Sequence, residues 1–255
     1  MFAIQKRQSY MARTEHYYTR FEDDKFYHVY NRTVDKKPMF CNNGNYEYFL
    51  KQYYKYLAPV VDTYAYCLLG NHFHLMVRVR PQTDMPGDLT SLPTHRLDKS
   101  LPNNRFDNFA LSDVGKVVKS ARASNEIQIP ATKSTHDIVS HQFRKFFQSY
   151  AMAFNKQQNR VGTLFQTPFK RGLVDDDIYL NRLAYYIHAN PQQHGLIDDF
   201  RKWPWSSYNK IVSDEPSYLK KQEVLNWFGG KKQFEKYHIE KHQMINNKLF
   251  FEDDV

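Results

Sequence analysis

Residues 72–80 read HFHLMVRVR, and their strict alternation constrains the fold more than any other feature of the sequence. Side chains of a β-strand point to opposite faces in turn. One face of this segment is therefore wholly apolar. The other face carries two imidazoles in line with two guanidinium groups, from His72, His74, Arg78 and Arg80. The pattern predicts a strand whose apolar face packs against helices and whose other face is available for chemistry.

Two further segments predict strands that accompany this one. Residues 25–31 (KFYHVYN) and 63–69 (TYAYCLL) are rich in aromatic and β-branched residues, which favour strands. Gly70-Asn71 lies between the second segment and residues 72–80, and a two-residue connection of this kind is typical of a hairpin. The order of strand, helix and hairpin predicts an α+β fold rather than a doubly wound one.

Three helices are predicted from apolar residues that recur at helical spacing. The first follows Asn42 and Asn43 and ends before Pro59, the second spans 143–154, and the third runs from 175–177 to Asn190. The third begins with three aspartates, which suit the positive end of a helix dipole. We expect Pro191 to end it, because the residue before a proline is pushed out of helical geometry.

The expected organisation is an arm at 1–24, a catalytic domain at 25–210 and a helical extension at 211–255. The domain is interrupted at about 81–135 by a polar segment containing five prolines. A loop of that length is unusual inside a compact domain, so we interpret it as an insertion, a lid or a partly disordered segment. We expect it to lie outside the catalytic core and to modulate the affinity for substrate.

Composition narrows the class of partner. Lys and Arg outnumber Asp and Glu by 36 to 27, and 16% of residues are aromatic. Basic side chains and exposed rings suit a polyanion with stackable bases, although a basic charge also serves solubility alone. Two cysteines, Cys41 and Cys67, make neither a disulfide framework nor a zinc knuckle. With no apolar run long enough for a membrane helix, we expect a reduced, cytoplasmic protein.

The histidine pair and the third helix supply the candidate site. Two imidazoles two residues apart on a strand can bind one divalent metal, or they can be ordinary half-exposed residues beside a hairpin. Tyr186 and Asn190 are four residues apart and share one helix face. Two imidazoles and a neutral amide oxygen leave room for water and phosphate, which favours Mg²⁺ or Mn²⁺ over structural zinc. Tyr186 also lies on a stripe that could be simple packing.

Four blocks carry a resemblance to a known family. They are residues 70–77 (GNHFHLMV), 162–170 (GTLFQTPFK), 185–196 (YYIHANPQQHGL) and 203–208 (WPWSSY). In this order and spacing they resemble the insertion-sequence-200-like, single-tyrosine HUH transposases, and the REP-associated tyrosine transposases most closely. The chain departs from the family at Gly70, where a proline is common.

The resemblance implies a ferredoxin-like HUH core, an antiparallel sheet with helices packed on one face. It assigns His72 and His74 as metal ligands, Asn190 as the third ligand and Tyr186 as the nucleophile. Tyr185 is the competitor for that last role.

The activity implied is metal-dependent cleavage and rejoining of single-stranded or hairpin DNA through a 5′-phosphotyrosine intermediate. The side chains expected to hold the DNA are Arg78, Arg80, Lys170 and Arg171. The chain would act as a monomer or homodimer, without a membrane. Two alternatives remain open: a DNA-binding module that no longer cuts, and a metal phosphoesterase that uses water.

Overall fold

In a computed structural model of the chain, residues 18–87, 89, 133–175 and 177–252 are described. Four strands form one antiparallel sheet: β1 (Phe26–Arg32), β2 (Val61–Leu68), β3 (His72–Val79) and β4 (Lys170–Val174). Their spatial order is β2-β3-β1-β4. The three predicted strands are confirmed to within two residues at each end, and β4 was not predicted.

Two helices complete the core on the apolar face of β3. They are α1 (Asn43–Leu57) and α2 (Thr135–Gln157). The rings of Phe49 on α1 and Phe73 on β3 are 5.0 Å apart, and Phe147 on α2 lies 5.9 Å from Phe73. The resulting βαββαβ order, with β1 and β3 in the middle of the sheet, is the ferredoxin-like arrangement. The α+β class is confirmed.

Each core helix begins at a side-chain cap. The Asn42 side chain accepts a hydrogen bond from the backbone N–H of Asn45, and that of Ser134 accepts one from Asp137. Such caps satisfy N–H groups that have no partner within the helix. The predicted start of α1 behind Asn42 is confirmed.

A third helix, α3 (Asp177–Gln193), lies against the opposite face of the sheet. The ring of Tyr186 on α3 is 5.4 Å from that of His74, and His74 points away from the face that carries Phe73. The expectation of helices on one face alone is therefore corrected: the ferredoxin-like pair occupies one face and α3 the other. As a result, both sides of β2 are buried.

The end of α3 also differs from the prediction. The helix passes through Pro191 and ends at Gln193. A proline costs one N–H donor and crowds the preceding turn, but Asn190 is fully buried, and the carbonyl oxygens of Asn190 and Pro191 accept from the N–H groups of His194 and Leu196. These hydrogen bonds and the burial of Asn190 stabilise about one further turn of helix after Asn190.

The C-terminal region consists of three helices: α4 (Tyr208–Val212), α5 (Lys221–Trp227) and α6 (Lys231–Glu252). Helix α6 packs on α3 through the fully buried His188 and His238. The expected domain boundary at 210 falls inside α4. No helix in the described part of the chain has the length and apolar character needed to cross a bilayer.

The arm expected at 1–24 is described from residue 18 onward. There Phe21 is 2% exposed and stacks on Phe143 of α2 at 5.5 Å, so this part packs into the core. The segment expected to be an insertion, 81–135, lies outside the described residues except at 81–87, 89 and 133–135.

Candidate active site

Strand pairing brings five polar or aromatic side chains to one face of the sheet. Tyr30 of β1 lies opposite His74 of β3, and Arg32 lies opposite His72. His28 is two residues before Tyr30 and so points to the same side. We call this surface, made of His28, Tyr30, Arg32, His72 and His74, the histidine face. The predicted pair His72 and His74 lies at its centre, with ring centroids 5.3 Å apart.

Hydrogen bonds define which nitrogen of His72 is free. Its Nδ1 lies 2.7 Å from the Asn71 side-chain oxygen, while the Asn71 amide nitrogen donates to the carbonyl of Lys36. Because the Asn71 oxygen only accepts, the proton of His72 is on Nδ1. The lone pair is then on Nε2, the arrangement seen in histidines that ligate metals.

Burial keeps the histidines of this face neutral. It lowers the pKa of His28 to about 4, that of His72 to about 4 and that of His74 well below its ordinary value. Electrostatic interactions with His194 and Arg32 lower the pKa of His72 further, and an interaction with the Asn190 side chain raises it. Only a neutral imidazole can bind a metal, so these rings are in the binding form at pH 7.

Asn190 has a buried oxygen without a donor. Its side-chain amide nitrogen donates to the carbonyl of Tyr186 at 3.2 Å, whereas its Oδ1 has no hydrogen-bond partner among the described residues. A buried acceptor left unpaired costs about 1–3 kcal/mol. An orphaned amide oxygen beside His72 therefore fits the third-ligand role that the resemblance implies.

No three His, Cys, Asp or Glu side chains within the described ranges group together as a metal site. A divalent ion at the histidine face would consequently depend on two imidazoles and the Asn190 amide. This donor set is open and neutral, which leaves positions for phosphate and water oxygens.

The two adjacent tyrosines of α3 have different surroundings. Tyr186 is 39% exposed, and its ring meets those of His74 and His28 edge-on at 5.4 and 6.0 Å. Tyr185 is 3% exposed and its hydroxyl lies 3.0 Å from Nδ1 of His242 on α6. Burial raises the pKa of Tyr185 to about 12. The structure brings Tyr186 to the histidine pair and fixes Tyr185 in a helix interface.

Arg78 and Arg80, expected to bind DNA, lie beside a carboxylate. Their guanidinium nitrogens are 3.2 and 2.9 Å from the Asp62 oxygens on β2. These contacts hold the pKa of Asp62 below its ordinary value although burial alone would raise it. Much of the arginine charge is neutralised there, and Arg78 lies about 13 Å along the strand from His74. Their predicted role in binding DNA stays a prediction.

Lys170 and Arg171 point to opposite sides of β4. Lys170 lies opposite Tyr30 and its Nζ is 5.7 Å from that ring, which places it at the histidine face. Arg171 instead donates from Nε to the Thr19 carbonyl at 2.7 Å and lies over the Phe21 ring. Of the two, the structure brings only Lys170 to the candidate site.

Four residues near the site were missed by the sequence reasoning: His28, Tyr30, Arg32 and His194. His28 lies 3.0 Å from His74, between Nε2 and Nδ1, and the His194 ring is 5.1 Å from that of His72. The alternation of FYHVYNR in β1 could have grouped the first three on one face. Only the three-dimensional structure could place them beside β3.

The fold and site together define an α+β protein in which a strand His-x-His pair faces an exposed tyrosine on a separate helix. No protein-family model matches the sequence. A protein of Haemophilus influenzae, inferred to be a REP-associated tyrosine transposase, is 25% identical over 156 residues. That match covers 60% of this chain and 62% of the relative. The resemblance predicted from the four blocks is confirmed by this relative.

One solved structure is also similar, a REP-associated tyrosine transposase bound to a REP hairpin. It has a TM-score of 0.48 and 12% sequence identity, over 78% of this chain and 87% of the other.

Proposed function

We propose that this protein is a metal-dependent, single-stranded DNA transposase or nickase with Tyr186 as its nucleophile. The observation that carries the proposal is the position of Tyr186: a partly exposed tyrosine edge-on to His74 and His28, with no hydrogen bond to its hydroxyl among the described residues. A tyrosine that served packing alone would be buried or hydrogen-bonded, as Tyr185 is.

The residues that would hold the metal are His72, His74 and Asn190. Their support is chemical: neutral imidazoles, a lone pair on Nε2 of His72 and a buried amide oxygen without a donor. When bound there, Mg²⁺ or Mn²⁺ supplies polarisation of the scissile phosphate and offsets charge on the leaving oxygen.

The proposed reaction exchanges one phosphoester for another. The Tyr186 oxygen forms a bond to phosphorus while the bond from phosphorus to the 3′-oxygen breaks. The phenol loses its proton and the departing 3′-oxygen gains one, giving a 5′-phosphotyrosine and a free 3′-hydroxyl. Because the number of phosphoester bonds does not change, a second 3′-hydroxyl can reverse the step and join strands without ATP.

The DNA backbone would be held at the histidine face by Arg32 and Lys170. Arg32 lies directly opposite His72, and no described residue forms an ion pair with it. Lys170 lies over Tyr30, whose ring also stacks on His28 at 4.8 Å. Cations bind the phosphates and rings bind the bases of single strands. The substrate we propose is single-stranded or hairpin DNA.

The decisive experiment uses an end-labelled single-stranded hairpin oligonucleotide with Mn²⁺, analysed on a denaturing gel. We expect a cleaved strand and a slower species in which DNA is covalently attached to protein, both lost with EDTA. Metal-dependent cleavage without the covalent species would indicate a phosphoesterase that uses water. Binding without cleavage would indicate a DNA-binding module, and either result would contradict the proposal.

A further inference from the structure

His28 contacts the histidine pair through a ring nitrogen. Its Nε2 lies 3.0 Å from Nδ1 of His74, and the two rings are nearly parallel, with centroids 5.1 Å apart. The contact arises from the register of β1 on β3, which places His28 opposite Met76 and diagonal to His74. His28 is itself enclosed by Tyr30 and Tyr186.

The direction of this hydrogen bond decides what His74 can do. If His74 donates from Nδ1, its Nε2 carries a lone pair; if His28 donates, Nε2 of His74 carries a hydrogen and cannot bind a cation. At His72 the equivalent choice is made by the Asn71 oxygen, which forces the proton onto Nδ1. Across the ranges that the structure describes, no carbonyl or amide oxygen bonds to Nδ1 of His74, and Nε2 of His28 is its hydrogen-bond partner.

We propose that His28 is a positioning residue that accepts the hydrogen bond of His74 Nδ1 and so keeps Nε2 of His74 available as a ligand. This inference rests on the metal site of the proposed function. With this direction, His72 and His74 both keep a lone pair on Nε2, on rings whose centroids are 5.3 Å apart, and Oδ1 of Asn190 is a buried acceptor without a partner among the described residues. A group of acceptors lacking donors is what a cation site requires.

The two proposed ligand histidines have different hydrogen-bond partners at Nδ1, the ring nitrogen that would not bind the metal. His72 is oriented by a residue of its own turn, Asn71, whereas His74 is oriented by a residue 46 positions earlier in the chain. Loss of an outer partner of this kind typically weakens metal binding 10- to 100-fold. We expect an effect of that size from removal of the His28 ring.

The test compares two replacements of His28 with a matched histidine elsewhere. His28→Ala removes the acceptor, His28→Gln replaces it with an amide oxygen, and His141→Ala removes a histidine of α2 that lies outside the site. Mn²⁺ affinity of the full chain is measured by electron paramagnetic resonance. The tautomer of His74 is read from imidazole ¹⁵N shifts in the metal-free protein, and melting temperatures verify folding.

We expect His28→Ala to weaken Mn²⁺ binding 10- to 100-fold, His28→Gln to retain most of it and His141→Ala to leave it unchanged. The ¹⁵N shifts of the wild type should show His74 protonated on Nδ1. Unchanged affinity in His28→Ala, equal losses in the Ala and Gln variants, or a proton on Nε2 of His74 would overturn this inference alone. A wild type that binds no Mn²⁺ would overturn the metal site and the inference with it.

Discussion

Two groups of histidines lie on opposite sides of α3, and they differ in how their ring nitrogens are used. On one side is the histidine face of the sheet. On the other is a group we call the helix cluster: His188 of α3, His238 of α6 and Ser207. Both groups are buried, and burial lowers the pKa values of both: that of His28 to about 4 and that of His238 to about 4.

The helix cluster is saturated with hydrogen bonds. The carbonyl of Phe234 accepts from Nδ1 of His238, so Nε2 of His238 accepts from Nδ1 of His188 at 2.9 Å. His188 in turn accepts at Nε2 from the Ser207 hydroxyl, whose oxygen accepts from the backbone N–H of Tyr66. Every ring nitrogen has one defined role.

The histidine face is not saturated. Among the described residues, Oδ1 of Asn190 is a buried acceptor without a hydrogen-bond partner. The comparison teaches that burial and a lowered pKa do not distinguish a structural histidine from a ligand. What the histidine face has beside its histidines is the buried Asn190 oxygen without a partner, and such an atom needs an explanation because a native protein leaves few buried polar groups unpaired.

The largest expected difference is between the two tyrosines of α3. Tyr186→Phe should reduce cleavage and covalent adduct at least ~10³-fold, because the nucleophilic oxygen is removed. Its free energy of unfolding should change by less than about 0.5 kcal/mol. Tyr185→Phe should cleave normally and lose about 1 kcal/mol of stability with the hydrogen bond to His242. Gel assays and urea denaturation measure both, and an adduct mapped to Tyr185 by mass spectrometry would reverse the assignment.

The next test compares the histidines on the two sides of α3: those facing the sheet should be needed for metal binding, and the one facing α6 should be needed for stability. Replacing His72 and His74 together by Ala should abolish Mn²⁺ binding and cleavage while DNA affinity changes little, because Arg and Lys carry that affinity. His188→Ala should retain Mn²⁺ binding but lose about 2–4 kcal/mol of stability, since Ser207 and His238 lose their partner. Calorimetric Mn²⁺ titration and urea denaturation check both. Full cleavage by the double variant would contradict the metal site.

Acid should destabilise the protein through both groups. The pKa values of His28, His72 and His238 are about 4 in the folded state against an ordinary 6.5. The unfolded chain therefore binds protons first, so stability is complete above pH 6.5 and is lost as the pH falls toward 4. We expect the free energy of unfolding to fall by about 5 kcal/mol between pH 6.5 and 5, roughly 1.6 kcal/mol for each of these three histidines. Urea denaturation at constant ionic strength measures this, and a flat profile would contradict the buried neutral histidines.

The smallest expected effect concerns two arginines on opposite sides of the sheet. Arg32→Ala should weaken binding to a hairpin oligonucleotide about 10-fold and reduce the slope of log affinity against log salt by about 1. Arg171→Ala should leave that slope unchanged and lower the melting temperature, because Arg171 holds Thr19 and Phe21. Fluorescence anisotropy over a salt series separates the two. Equal slopes in both variants would remove Arg32 from the DNA-binding surface.

Local periodicity was sufficient to predict much of this site. Alternation in 72–80 placed the two histidines on one face, and the four-residue spacing on α3 placed Tyr186 with Asn190. Pairing between distant segments was not predictable from the sequence. The proximity of His28 to His74 depends on the β1–β3 register, and the pairing of Arg78 with Asp62 depends on β2, which is irregular between Thr63 and Ala65.

Helix α3 contacts the sheet on one side and α6 on the other, and together these contacts fix the rotation of the helix that presents Tyr186. Successive residues of a helix are rotated by about 100°, so a one-residue insertion before Tyr185 would carry the other tyrosine toward the sheet. The contacts of Tyr185 and His188 with α6 oppose any such rotation. The C-terminal helix thereby fixes the angle at which the proposed nucleophile faces the sheet.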